Sequence, residues 1–101
     1  MNHLIITICN NGCADEVMTV AKENGARGGT ILRARGSAKQ DAEHFLGITI
    51  QPEKEVVLIV VNDEIKKSIM QTISSKLGAG TKAHAISISV PVVDVVGITL
   101  K

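Results

Sequence analysis

The sequence predicts an α+β fold whose elements run β-α-β-β-α-β. Three observations predict it. The β-branched runs LIITIC, Leu4 to Cys9, and VVLIVV, within Glu55 to Val61, have the composition and length of strands. Between Glu64 and Leu77, Ile65, Ile69, Ile73 and Leu77 recur every fourth residue, the stripe of an amphipathic helix. Glycine-rich or Asn-rich breaks separate the segments, and the 101 residues leave room for one domain, 1–101, with a single modest core.

The first strand, Leu4 to Cys9, ends at Asn10-Asn11-Gly12, a turn signal. A helix follows from Ala14 to Asn24, with Ala14, Val17, Met18 and Ala21 on one stripe. Gly25 sits where a helix end commonly needs a left-handed residue. Thr30 to Arg35 reads as the second strand. Gly36 to Pro52 is polar around the island Phe45-Leu46-Gly47-Ile48 and reads as a loop with one helical turn at Asp41 to Leu46. Glu55 to Val61 is the third strand, apolar on both faces. Asn62-Asp63 caps the helix to Leu77, and Gly78-Ala79-Gly80 stops it. Ala85 to Val90 alternates Ile86, Ile88 and Val90 against Ser87 and Ser89, the pattern of a half-buried strand. Pro91 breaks that strand, leaving Val92 to Leu100 as an apolar tail.

This order is the ferredoxin-like or split βαβ arrangement, a four-stranded antiparallel sheet with two helices on one face. Two helices cover only that face. The first and third strands are apolar on both sides, so the other face would be an exposed apolar patch in a monomer. Burial against copies of the same chain is the simplest remedy, and a homo-oligomer is expected. The fold alone does not settle function.

Composition excludes several function classes. The only aromatic residue is Phe45 and net charge is +1, so neither a stacking platform nor a basic footprint for nucleic acid is present. No run approaches the roughly 20 apolar residues that span a bilayer. The opening MNHLIITICNNG is too short in apolar length and lacks the basic flank of a signal peptide. A cytoplasmic chain with free thiols is the expectation. Cys9 and Cys13, with His3, His44 and His84 scattered, make a weak zinc proposal, and structural or incidental cysteines are expected. No nucleophile elbow or acid–base constellation points to an enzyme. Ser74-Ser75 falls on a polar helix face, and Glu53-Lys54-Glu55 reads as a solvated strand start.

Two segments could carry binding chemistry. In Gly25 to Lys39, GARGGTILRARGSAK, glycines lead into a strand that exits through Arg33, Arg35, Gly36 and Lys39. The two arginines, two apart on a strand, project from one face, and guanidiniums beside exposed amides suit a phosphate or carboxylate. Read blandly, the glycines are turns and the arginines a solvated strand end. The second segment is Gly78 to His84, GAGTKAH. Its glycines, Thr81 and Lys82 have the composition of a phosphate-cradling loop. It lies at a helix C-terminus, whose dipole repels anions, and also reads as a simple helix stop.

From Ile5 to Ile98 the runs GARGGTILRARG, HFLGITIQPEKEVVLIVV and AHAISISVPVVDVVGI fall in the order of, and are similar to, PII-like proteins related to the nitrogen regulatory protein PII, here of a short-loop type. The resemblance implies a compact trimer with ligand sites in clefts between subunits. It implies a regulatory protein that senses a small anionic effector, an adenine nucleotide (AMP, ADP or ATP), and modulates a partner transporter or enzyme. By position, Gly28 and Thr30 resemble the segment near the nucleotide base, and Gly36, with Ser37 and Lys39 beyond it, the root of the regulatory loop. Gly78, Gly80 and Lys82 fall where the family has its glycine-rich phosphate loop. Two features depart from the family. Only residues 37–54 join Gly36 to the third strand, with no Tyr to modify, and Gly97-Ile98-Thr99 stands in place of a phosphate-gripping Arg pair. Arg33 and Arg35 are then the main positive charge at the expected cleft. The alternative reading is a trimeric metal-binding protein of the divalent-cation-tolerance kind.

Overall fold

The computed structural model describes residues 1–37, 43–45, 48–50 and 52–98. Among the described residues six strands and two helices follow one another: β1 (Asn2–Asn10), α1 (Ala14–Glu23), β2 (Thr30–Arg35), β3 (Glu43–Phe45), β4 (Ile48–Ile50), β5 (Glu53–Asn62), α2 (Asp63–Leu77) and β6 (Ile86–Val92). β2, β5, β1 and β6, in that order, form one antiparallel sheet. This is the expected ferredoxin-like arrangement, and the helices lie on one face.

The helix boundaries follow their caps. Asn62 accepts from the amides of Glu64 and Ile65 at 3.0 and 3.4 Å and starts α2. Gly25, at φ +107°, ends α1. There the Ala26 amide donates to the Ala21 carbonyl and the Gly25 amide to that of Lys22, the paired bonds of a Schellman ending. Ile69 and Ile73 of α2 and Val17 and Ala21 of α1 are fully buried, and they pack on Ile5, Val57, Ile59 and Val61 of the sheet.

Two expectations need correction. The helical turn at Asp41 to Leu46 does not form, because Glu43–Phe45 is a strand that pairs antiparallel with Ile48–Ile50. The β-branched ITI and a two-residue connection containing Gly47 favour a hairpin there; Asp41 and Leu46 lie outside the described residues. Pro91 does not end β6, which continues to Val92. β6 is an edge strand, and a proline is tolerated at an edge because no second neighbour needs its N–H.

The alternation of β6 also runs opposite to a buried apolar side. Ile86, Ile88 and Val90 stand opposite Ile8, Ile6 and Leu4, on the face away from the helices, and are 54%, 47% and 37% exposed. The serines face the helices, where the hydroxyls of Ser87 and Thr7 share a 2.8 Å hydrogen bond. Leu32, Val56, Leu58 and Val60 extend the same grid toward β2. The helix-free face is thus apolar across all four strands.

At the start of α2, Asp63 accepts hydrogen bonds from His3 and from the terminal ammonium, 3.1 Å away. These bonds, His3 first, hold its carboxyl below the ordinary value. A depressed carboxylate stabilises the fold above its unfolded pKa, about 3.9, and that contribution is lost as pH falls through the folded value. Asp63→Asn should therefore be less stable than the parent at pH 7, with the gap narrowing as pH falls below the unfolded value in paired urea melts.

Candidate functional site

The polar residues singled out in the sequence gather in two places at opposite ends of β2. Thr30 and Arg35 are five residues apart along the strand, about 17 Å at ~3.3 Å per residue.

At the first place, Arg27, Gly28, Gly29 and Thr30 form one wall of a cleft of about 510 Å³. Leu58 and Val60 form its floor and Ile98 its other wall. Gly29 is there because β5 passes too close for a side chain: a Cβ would stand 2.6 Å from the Leu58 carbonyl oxygen. Gly28 is open, with nothing within 4 Å of such an atom. β6 and β2 are opposite edges of the sheet, so the chain after Val92 crosses the end of the helix-free face to bring Ile98 to β2. Along that crossing Val93 and Val96 are 92% and 93% exposed.

The second place is the other end of the sheet. Arg33 and Arg35 stand opposite Glu55 and Glu53 in register, yet neither arginine makes an ion pair among the described residues. The Glu55 carboxylate is engaged elsewhere. Its Oε1 accepts from the Gly12 and Ala14 amides at 2.8 and 3.0 Å, and so caps α1, whose own N-cap residue Cys13 makes no side-chain bond. Gly36 continues the strand and donates from its amide to the Pro52 carbonyl at 2.8 Å. Ser37 follows it, exposed, and Lys39 lies outside the described residues.

Residues 78–84 fold beside the end of β1, close to this group. The dipole objection to anion binding weakens because their carbonyls are already engaged. That of Gly78 accepts from the amide and hydroxyl of Thr81, that of Leu77 from the Ala85 amide, and those of Lys82 and Ala83 from Asn10. The amides of Ala79, Gly80 and Lys82 have no partner among the described residues. Gly80 takes φ +83° and His84 φ +45°. Engaged carbonyls and amides without a partner among the described residues, with the exposed Lys82 ammonium, suit an anion.

The structure thus brings Arg33, Arg35, Gly36 and Ser37 to the same end as Gly78, Gly80 and Lys82, and it places Gly28 and Thr30 at the other. Sequence reasoning missed four contributors: Arg27 and Ile98 in the cleft, and Asn10 and Lys54 at the charged end. Asn10 read only as a turn residue and Lys54 as part of a solvated charge run. Their partners lie 44 and 72 residues away, out of reach of local pattern.

The cysteines behave as core. Both are free and buried, and the Cys9 thiol is pushed up to about 11, by burial first and then by neighbouring Cys13. His3 is six residues from Cys9 along β1, about 20 Å, too far to share an ion with it. Among the described residues no three His, Cys, Asp or Glu side chains gather as a metal shell, and no helix is long and apolar enough to cross a membrane.

The family model for nitrogen regulatory protein P-II matches residues 2–99. Among solved structures, the fold is similar to that of a protein from Thermus thermophilus described as PII-like and signaling. The TM-score is 0.64 at 18% identity, covering 88% of this chain and 85% of that one. No curated protein matches the sequence.

Proposed function

The chain belongs to the nitrogen regulatory protein P-II family, and from that premise we propose a cytoplasmic, non-enzymatic regulator that binds a small anionic effector between copies of itself and modulates a partner transporter or enzyme. The observation that carries this reading is the separation of the two residue groups. Gly28 and Thr30 line a cleft floored by Leu58 and Val60, whereas Arg35, about 17 Å along β2 from Thr30, lies at the end of the sheet where Arg33 and the 78–82 loop add positive charge and amides without a partner among the described residues. One chain cannot close both around one small molecule. A homotrimer built on the helix-free face would set the cleft of one subunit beside the charged end of the next.

An adenine nucleotide fits the division, with its base in the apolar cleft and its phosphates at the charged end. Gly97-Ile98-Thr99 stands where the resemblance places a phosphate-gripping Arg pair, so that source of phosphate contacts is missing. Fewer phosphates should therefore suit this site, and AMP or ADP should bind at least as well as ATP.

Calorimetric titration with AMP, ADP and ATP tests the reading. Each charge-assisted bond is worth about 1.5–3 kcal/mol, so Arg33→Ala, Arg35→Ala and Lys82→Ala should each weaken binding roughly tenfold or more. Unchanged affinity in all three would place the site elsewhere.

A further inference from the structure

Asn10 joins three segments at the charged end. Its Oδ1 accepts from Lys54 Nζ at 2.7 Å, its Nδ2 donates to the Lys82 carbonyl at 2.9 Å, and its backbone amide donates to the Ala83 carbonyl at 2.9 Å. The amide orientation is forced, because an ammonium only donates and a carbonyl only accepts. Lys54, for its part, lies under the chain that leaves β2. A Cβ at Gly36 would stand 2.9 Å from Lys54 Cε, so the lysine stem packs against Gly36 and would have to shift to admit a side chain there. Glycine at 36 is thus in contact with the same lysine stem whose ammonium reaches Asn10.

We propose that Asn10 is a positioning residue for the glycine-rich loop, and that the chain Gly36–Lys54–Asn10–Lys82 couples the root of the short loop to that loop. Asn10 holds the carbonyls of Lys82 and Ala83 and so fixes the backbone from which the exposed Lys82 side chain extends. A displacement at Gly36 moves the Lys54 stem, releases Asn10 Oδ1 and frees the Nδ2 contact with Lys82. The two loops lie about 10 Å apart, two strand spacings, with β5 between them. The binding role of this coupling rests on the anion-site reading above; the coupling itself does not.

Amide hydrogen exchange on the effector-free protein tests the coupling directly. The reporters are the Thr81 and Ala85 amides, both hydrogen-bonded within the loop segment. Asn10→Asp keeps the Lys54 contact but sets a carboxylate against the Lys82 carbonyl. It should speed exchange at both reporters about tenfold, the scale of one lost hydrogen bond. Lys54→Met and Gly36→Ala should speed the same amides although neither residue touches the loop. If exchange at Thr81 and Ala85 stays within about twofold of the parent in both remote variants, the coupling is wrong. Lys54→Met decides the matter alone if Gly36→Ala fails to fold. A parallel ADP titration separates the two readings: a parent that does not bind ADP sinks the effector reading, while the exchange result still judges the coupling.

Discussion

Ile88→Glu should elute as a monomer of 10.7 kDa where the parent elutes at three times that mass. Ile88 lies opposite Ile6 on the helix-free face, midway along the edge strand β6 and flanked there by Ile86 and Val90. In a single chain it is 47% exposed, so a carboxylate there disturbs no packed core. In an assembly that buries the face, the same carboxylate is desolvated with no cation across from it. Such burial costs several kcal/mol per ion, repeated at each subunit contact. Size exclusion with light scattering at micromolar concentration reads the result. Lys67→Glu, on the exposed side of α2, should leave the mass unchanged. A monomeric parent would refute the assembly, and with it the composite effector site.

Glu55→Ala should be the most damaging single change outside the core. A helix N-terminus leaves amides unsatisfied, and Cys13 at the N-cap position supplies no acceptor. Glu55 reaches from β5 to take the Gly12 and Ala14 amides on one oxygen, placing a negative charge at the positive end of the helix dipole. Alanine removes both bonds and leaves the Ala14 amide half-shielded from water. A loss of roughly 2 kcal/mol follows from capping and charged hydrogen-bond energies, which for a domain of this size lowers Tm by about 8–16 °C. Glu55→Gln should recover part of the loss, because an amide oxygen still accepts. Differential scanning calorimetry that finds less than about 2 °C between Glu55→Ala and the parent would show the cap to be idle.

How much of this was legible in the sequence depends on how local each signal is. The α2 stripe and its Asn62 cap lie within one helix, and both appear where periodicity and capping chemistry put them. The Gly25 ending of α1 is equally local. The sheet's bare face was legible from the two-sided apolarity of β1 and β5, but the side chosen by β6 was not. Alternation fixes which residues share a face, whereas only the pairing of Ile8 with Ile86 says which face it is. Glu55 was misread for the same reason: its partners are 41 and 43 residues away. Arg33, Arg35 and the 78–82 loop were legible as chemistry but not as neighbours, because their adjacency comes from the order of strands.

The proline in β6 bears on the size of the assembly as well as on the strand. A sheet edge with a full row of free donors can accept another strand, and repeated acceptance yields a fibre. Pro91 has no N–H to offer on one edge, and β2 presents Arg33 and Arg35 along the other. Growth by strand addition is disfavoured at both borders, which directs the proposed association to the apolar face. In the proposed homotrimer, a face used in the same way by each subunit around an axis would close on itself and give a counted number of copies rather than an open polymer.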